Sequence, residues 1–281
     1  MKQIFSILML ALIAIGCSQE SADSSYKKPD APKREGWAST IPLYGDVESV
    51  TQVPYILEEK FGEIRRIETY GKCMIYFNEA GDATEFFNYD LGRKTIYKYD
   101  DKGNVTEMAS YYSSGTLYDK TIYKYDAVGN KTEMASYHSD SSLNSKHTYK
   151  YDAAGNETEV AVYNSDGSLN FKHTYKYNAA GNMTVDVMYD SDGTRCKEIY
   201  KYDAAGNLTE ELWFTGSKVT YKYDDKGNMT EEARYDSDGS LTSKSIYKYD
   251  DVGNVTGWTE YEGEIMTPRR EVEWIIVYRN N

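Results

Sequence analysis

Five glutamates recur at equivalent places along the chain, and paired carboxylates at a suitable separation can hydrolyse glycosidic bonds. They are Glu107, Glu133, Glu159, Glu210 and Glu231. Because they recur with a repeat, we expect a column on a sheet in which each pairs with a cross-strand lysine or tyrosine. The sequence has no Gly-x-Ser-x-Gly, no His-Glu-x-x-His and no phosphate loop. We therefore expect no catalytic residues and no enzymatic activity.

Metal ligands are the next chemistry to consider. Asp190 and Asp192, with Gly193, weakly resemble a calcium loop, but the third oxygen ligand and the distal glutamate are missing. His147 and His173 occupy equivalent repeat positions, yet two histidines without a third ligand make a poor metal site. We expect turns and a solvated strand edge at these places, with no metal and no cofactor.

Aromatic residues are the candidates for ligand binding. A shortened unit at 212–216 loses about five residues and gains Trp213 and Phe214. These two rings could form a platform for a sugar or a protein, or could pack within a tight hairpin. The candidate ligand surface comprises Trp213, Phe214, Tyr123, Tyr125, Tyr149, Tyr151 and Tyr163.

A repeat positions all these residues. The string Tyr-Lys-Tyr-Asp-x-x-Gly-Asn recurs, and its glycines are Gly103, Gly129, Gly155, Gly181, Gly206, Gly227 and Gly253. Successive glycines lie 26, 26, 26, 25, 21 and 26 residues apart, by subtraction. A period in this range is typical of repeat architectures.

One repeat reads as two strands and two turns. The segment 121–125 is rich in β-branched and aromatic residues, and Asp126 with Gly129 suits a hairpin turn with a bulge. Pairing outward from that turn predicts Tyr123 opposite Glu133. Since side chains alternate between faces, it also predicts one tyrosine-rich face shared by Tyr123, Tyr125, Ala135 and Tyr137, with Tyr149, Tyr151, Ala161 and Tyr163 in the next repeat.

Composition narrows the function. The formal net charge of −13 argues against nucleic acid as a partner, since phosphate binding needs a basic face. Tyrosine occurs 29 times, against 7 phenylalanines and 4 tryptophans, which suits a half-wet sheet surface. Cys73 and Cys196 lie far apart in an unrolled sheet, so we expect both thiols to be free.

The N-terminal segment reads as an export signal. Lys2 precedes an apolar stretch at 4–15, which Gly16 and Cys17 follow. This resembles a bacterial lipoprotein signal, in which the cysteine is lipidated. Ser18 is not the aspartate that favours inner-membrane retention, so we expect the outer membrane, on its periplasmic or surface-exposed side. The alternative is an ordinary signal peptide with an incidental cysteine.

The segment 200–210, Tyr-Lys-Tyr-Asp-Ala-Ala-Gly-Asn-Leu-Thr-Glu, resembles the YD repeat of the RHS and teneurin-like proteins. The resemblance covers about residues 70–265 and extends to small bacterial lipoproteins of this repeat type. It implies a β-sheet scaffold without catalytic residues in the repeats. We expect a monomeric, non-catalytic binding module for a glycan or a protein. The alternatives are a structural spacer without a ligand and a remnant of an Rhs-type secreted toxin system.

The expected fold is all-β: a twisted antiparallel meander of hairpins with about sixteen to eighteen strands, either open or curled, behind an N-terminal signal segment. We divide the chain into a signal peptide at 1–17, a tether at 18–36, a capping hairpin at 37–75, about eight repeats at 76–266 and a capping strand at 267–281.

Overall fold

The computed structural model describes residues 43–193, 195–263 and 267–279. The signal peptide, Cys17 and the tether lie outside the described residues. The described part contains no helix, and therefore none with the length and apolarity that crossing a bilayer requires.

All the regular structure is antiparallel β-sheet, and the described residues form nineteen strands in one sheet. The first ten are β1 (Val47–Lys60), β2 (Glu63–Glu68), β3 (Cys73–Phe77), β4 (Ala83–Asn88), β5 (Arg93–Tyr99), β6 (Val105–Tyr112), β7 (Leu117–Tyr125), β8 (Lys131–His138), β9 (Leu143–Tyr151) and β10 (Glu157–Asn164). The remainder are β11 (Leu169–Tyr177), β12 (Met183–Asp190), β13 (Arg195–Tyr202), β14 (Leu208–Leu212), β15 (Lys218–Tyr223), β16 (Met229–Tyr235), β17 (Leu241–Tyr249), β18 (Val255–Glu262) and β19 (Thr267–Tyr278). The predicted all-β hairpin meander is confirmed, with nineteen strands in the described residues in place of the sixteen to eighteen expected.

The Gly-Asn turn has the chemistry that its sequence predicts. The amide of Gly129 donates to the Asp126 carbonyl at 3.2 Å, and the amide of Asn130 donates to the Asp126 carboxylate at 2.8 Å. Gly129 has a φ of +95°, which is costly for a residue with a Cβ. Short-range hydrogen bonds therefore fix each corner locally.

The predicted pairing within each hairpin was wrong by one residue beyond the turn. Tyr125 pairs with Lys131, but Thr132 is an extra residue in a β-bulge, so Tyr123 faces Met134 and not Glu133. The Thr132 hydroxyl donates to the Lys124 carbonyl at 3.3 Å, which ties the bulge down. A one-residue slip moves every later side chain to the opposite face.

The bulge separates the tyrosines into two sets. The first set comprises the two tyrosines of each Tyr-Lys-Tyr-Asp string, such as Tyr149, which pairs with Val160. Ala161 and Tyr163 pair with Thr148 and Lys146 and lie on the other side of the sheet. The prediction that Tyr149, Tyr151, Ala161 and Tyr163 share one face was therefore wrong, because the bulge places Ala161 and Tyr163 on the other side.

The sheet closes on itself. β1 pairs with β19 along one edge and with β3 along the other, so β1 and β3 to β19 form a continuous ring. β2 stands outside this ring as a hairpin partner of residues 55–60 in β1. The question of an open or a curled sheet, which the repeats leave undecided, is thus answered by the two capping segments.

The hydrophobic core lies on the inside of the ring. Buried Val50, Ile75, Phe77 and Tyr97 pack there with Leu43, which precedes β1. The lysines of the Tyr-Lys-Tyr-Asp strings point outward, with Lys124 65% exposed. We call the core side, which carries Tyr97, Tyr123 and Tyr149, the inner face.

Candidate ligand-binding site

The ring has two rims, because alternate turns of a meander lie at opposite ends of the strands. One rim collects the Gly-Asn turns, and successive turns touch: a Cβ on Gly129 would lie 3.8 Å from the Asn104 side-chain oxygen, and one on Gly181 would lie 3.8 Å from that of Asn156. We call it the Gly-Asn rim. The Gly-Asn corners therefore line up along one edge, as a row of like hairpins requires.

The opposite rim carries exposed aromatic rings. Tyr89, Tyr112 and Trp213 each occupy the first position of their turn, where each carbonyl accepts from the turn glycine. Tyr89 is 48% exposed, Tyr112 is 43% exposed and Phe214 is 63% exposed. We call this end, with Tyr89, Tyr112, Trp213 and Phe214, the aromatic rim.

The shortened unit forms a tight hairpin, as one of the two sequence interpretations requires. The Trp213 amide donates to the Ser217 carbonyl at 2.9 Å, which closes the turn between β14 and β15. The Trp213 ring is half-buried, with the Arg234 guanidinium 6.0 Å from its centroid. Phe214 extends into solvent at the tip. The hairpin thus packs one ring and presents the other.

A second aromatic group flanks the same rim at β5 and β7. The Arg93 guanidinium lies 3.5 Å above the Tyr118 ring, and Tyr112 meets Tyr118 edge to face with centroids 5.2 Å apart. Stacked guanidinium and edge-to-face pairs hold rings rigidly. Sequence reasoning missed Tyr112 and Tyr118, and the available signal was the tyrosine at a turn corner, Tyr112.

The other tyrosines proposed as ligand contacts lie elsewhere. Tyr123 and Tyr149 face inward, and their hydroxyls approach the sulfurs of Met108 and Met134 at 2.8 and 3.9 Å. Tyr125 and Tyr151 donate to backbone carbonyls of the preceding repeat. Tyr163 lies on the outer face opposite Lys146. The structure therefore brings Trp213 and Phe214 together and leaves the five tyrosines apart from them.

An acidic, aromatic patch lies on the inner face beneath Trp213. Glu211 is buried and accepts hydrogen bonds from Tyr221 and Trp213. Burial raises the pKa of Glu211, and the carboxylates of Glu198 and Glu232 raise it further. Glu232 is paired with Arg234 at 2.7 Å. Periodicity could have found these acids, since Asp186, Glu211 and Glu232 stand where earlier repeats have methionine or valine.

The recurring glutamates are structural pairs on the outer face. Glu133 accepts from Lys124 at 2.8 Å and from Lys146 at 2.5 Å, and Glu159 lies 2.8 Å from Lys150 and 3.5 Å from Lys172. Lys124 holds the pKa of Glu133 below its usual range. The predicted column with cross-strand lysines is confirmed.

His147 and His173 are half-buried in strands that are paired on both sides, so the predicted solvated strand edge was wrong. His173 lies 2.9 Å from the Asp186 carboxylate, and burial lowers the pKa of His147. No group of three or more His, Cys, Asp or Glu in the described part of the chain is placed to hold a metal ion. Cys73 and Cys196 are free thiols, as predicted, and burial raises the pKa of Cys73 to about 12.

Residues 202–240 match the RHS Repeat family model. This chain contains an RHS repeat. The matched span runs from Tyr202 at the end of β13 to the turn before β17, and so covers two Gly-Asn turns and the shortened unit. The same string recurs from Tyr97 to Asn254 and forms the wall of the ring. The protein is a repeat-based structural module.

Solved structures resemble the RHS ring only distantly. TcdB2-TccC3-TEV has 14% identity and a TM-score of 0.36, and the match covers 70% of this chain and 12% of that chain. A porin-like protein from Bacteroides uniformis has 12% identity and a TM-score of 0.47, covering 82% and 98%. The Photorhabdus luminescens Tc holotoxin pore has 14% identity and a TM-score of 0.30, covering 79% and 14%. This chain thus spans about an eighth of the first protein's length. None of the curated proteins matches this chain.

Proposed function

We propose that this RHS-repeat protein is a non-catalytic binding module, held at the outer membrane by a lipid on Cys17, that contacts a glycan or a protein through its aromatic rim. The observation that supports this function is the uneven distribution of exposed rings. Tyr89, Tyr112 and Phe214 gather at one rim, whereas the exposed large hydrophobic side chains of the Gly-Asn turns in the described chain are Val128 and Val252, with the less exposed Tyr278 beside the last turn. Exposed apolar groups gathered in one place are typical of interaction sites.

The chemistry of the rim suits a ligand with apolar faces and hydroxyl groups. Aromatic rings are large and rigid and lose little side-chain entropy on binding, which is why they are enriched at interfaces. Trp213 is fixed by its bond to Glu211 and by Arg234. Its neighbour Phe214 is free to contact a ligand without first leaving a packed position. The rim therefore offers a preorganised contact.

Binding is tested with the chain lacking residues 1–17, in a glycan array and in a pull-down from cell-surface extract. We expect saturable binding that Phe214→Ala and Trp213→Ala each weaken at least several-fold, with circular dichroism unchanged. Val128→Ala is the matched control, because Val128 is 83% exposed on the opposite rim. Equal losses in all three variants, or no ligand in either screen, would reject the aromatic rim as the binding surface.

The lipid anchor is tested separately with the full chain. Cells that express it should incorporate labelled palmitate into the protein, and Cys17→Ala should abolish that label. Cys196→Ala serves as the control, because Cys196 is a free thiol of β13. Retention of the label in Cys17→Ala would contradict the anchor without bearing on the aromatic rim.

A structural spacer without a ligand is the second candidate function. The observation in its favour is that every repeat is tied to the one before it by a tyrosine hydroxyl, as Tyr177 is to the Glu157 carbonyl at 2.6 Å. Such a continuous bond pattern stiffens a wall whether or not a ligand binds. A stable, folded protein with no ligand in either screen would favour this second function.

A further inference from the structure

The strand β2 has one unpaired edge and is not part of the closed ring. It pairs with residues 55–60 of β1 along one side, and no other strand of the described chain pairs with it. All six of its residues are exposed. β1 starts near the Gly-Asn rim and runs past the aromatic rim, so its hairpin with β2 projects beyond that end. An edge of this kind carries backbone groups that can pair with another strand.

Large apolar side chains accompany this edge. Phe61 at the hairpin turn is 102% exposed, Ile64 is 56% exposed and Ile67 is 44% exposed. Ile64 and Ile67 stand among four charged residues in the sequence Glu-Ile-Arg-Arg-Ile-Glu of β2. Natural edge strands are often protected by charges alone. Here three exposed apolar groups remain beside the free edge.

We propose that β2 pairs antiparallel with β2 of a second copy of this chain, about a twofold axis that passes by Ile64. In that register Ile64 faces its own counterpart and Glu63 faces Arg65. Phe61, in the left-handed turn before β2, lies at the end of the ladder beside Ile67 of the other copy. The sum of paired residue numbers is constant in an antiparallel pair, so these contacts form together. The ring would then join a second ring through the projecting hairpin, in place of the monomer expected from the sequence.

Charge and side-chain type select this register from its neighbours. The neighbouring symmetric register, centred on Arg65, places Arg65 opposite its own counterpart and Ile64 opposite Arg66. Like charges directly opposite each other destabilise a pair, whereas opposite charges and apolar pairs stabilise it by about 0.2–1 kcal/mol each. The register about Ile64 has two Glu63–Arg65 pairs by symmetry and an Ile64–Ile64 pair between them.

Arg66 does not oppose this arrangement. Its guanidinium already lies 3.2 Å from Glu271, 2.9 Å from Glu273 and 4.0 Å above the Tyr55 ring. In the proposed register it meets Gly62 of the other copy, where a Cβ would have nothing within 4 Å. The one remaining cation of β2 therefore stays on its own chain.

Disulfide trapping tests the pairing in the full chain. Paired residues in antiparallel strands have Cα atoms about 4.5–5.5 Å apart, within disulfide range. We expect Ile64→Cys to give a species of twice the chain mass on a non-reducing gel after mild oxidation. Glu59→Cys is the matched control, because Glu59 lies beside Ile64 on β1, away from the free edge. A missing dimer in Ile64→Cys, or an equal one in Glu59→Cys, would overturn the proposal.

A charge exchange in the Ile64→Cys background tests the register. Arg65→Glu places two carboxylates opposite each other and should reduce the trapped dimer. Adding Glu63→Arg restores opposite charges and should recover it. The register centred on Arg65 gives a different result, because position 65 then faces its own counterpart and Glu63→Arg, opposite Ile67, cannot restore an attraction. A dimer yield that rises with Arg65→Glu, or that the second change fails to restore, is incompatible with the proposed axis.

Discussion

The hydroxyl of Tyr151 donates a hydrogen bond to the backbone carbonyl of Lys131, 2.9 Å away and 20 residues earlier in the chain. This bond joins one repeat to the preceding repeat from the inner face. The second tyrosine of the other strings makes the same bond: Tyr99, Tyr125, Tyr177, Tyr202, Tyr223 and Tyr249. The tyrosine of the repeat is thus fixed by a hydroxyl as well as by a ring, which phenylalanine cannot replace.

Removal of that hydroxyl should weaken the wall. Tyr151→Phe leaves the Lys131 carbonyl without this donor, and we expect a loss of about 1 kcal/mol in the free energy of unfolding. Urea denaturation followed by tryptophan fluorescence measures it. Tyr163→Phe is the control, because Tyr163 lies on the outer face. Equal stabilities of the two variants would show that the inner bond contributes nothing net.

One turn on the aromatic rim carries a strained residue. Ser141 has a φ of +69°, where the equivalent positions are Gly115, Gly167, Gly193, Gly216 and Gly239. We expect Ser141→Gly to raise the unfolding free energy by about 0.5–1 kcal/mol, because glycine has no Cβ to clash in this conformation. Gly167→Ser should cost a similar amount. Thermal melts of both variants measure these changes. Shifts of the two melting temperatures in the same direction would contradict the role of the positive φ.

The sequence predicted the features that depend on neighbouring residues, such as the turns, and missed those that depend on the pairing between strands. Each Gly-Asn corner depends on residues within four positions, as with Asp126 and Asn130, and the repeated string reports it directly. The glutamate column followed from the same period. The face of each tyrosine depended on one extra residue, Thr132, which no alternation pattern reveals because a bulge changes the count without changing the composition.

Closure of the ring was also beyond the reach of local sequence patterns. The pairing of β1 with β19 joins residues more than 200 positions apart, such as Val50 and Ile276, and neither segment carries the repeat string. The residues of the predicted ligand surface were separated because their placement also depended on strand pairing. Trp213 and Phe214 share one turn and stayed together, whereas the tyrosines were assigned to a surface through a pairing that the bulge changes.

Glu157 should make stability fall as pH rises. Burial on the inner face raises the pKa of Glu157 to about 7, although Lys131 and His173 partly oppose the shift. The unfolded chain releases this proton near pH 4.5, so between there and pH 7 the folded state holds a proton that the unfolded state has lost. Stability then declines through that window. We expect Glu157→Gln to raise the unfolding free energy by about 2 kcal/mol at pH 8 and to change little at pH 4.

Glu159 is the matched control for this effect, with the opposite sign. A hydrogen bond from Lys150 on the outer face lowers the pKa of Glu159, so its charged form stabilises the fold. That contribution is present above the unfolded pKa and is lost as pH falls. Glu159→Gln should therefore destabilise slightly at pH 8. Parallel pH profiles for the two variants would refute the assignment of inner and outer faces.

The last prediction concerns the residue that joins the two ends of the ring. Asn254 is 0% exposed, and its side chain accepts from the Tyr44 amide at 2.5 Å and donates to the Tyr44 carbonyl at 2.9 Å. It also donates to the Tyr278 hydroxyl at 2.6 Å, at the end of β19. The equivalent Asn130 side chain bonds only within its own turn, to Asp126 at 3.1 Å. One asparagine thus connects the last Gly-Asn turn to both capping segments.

We expect Asn254→Ala to cost about 3 kcal/mol, because it orphans a buried amide and carbonyl, and Asn130→Ala to cost about 1 kcal/mol. The measurement is urea unfolding of both variants, with amide exchange at Tyr44 as a local readout. Exchange at Tyr44 should accelerate in Asn254→Ala before global unfolding, since the ring opens where its ends meet. If both asparagines cost the same and Tyr44 stays protected, closure depends on the β1–β19 ladder alone and this side chain is an ordinary turn residue.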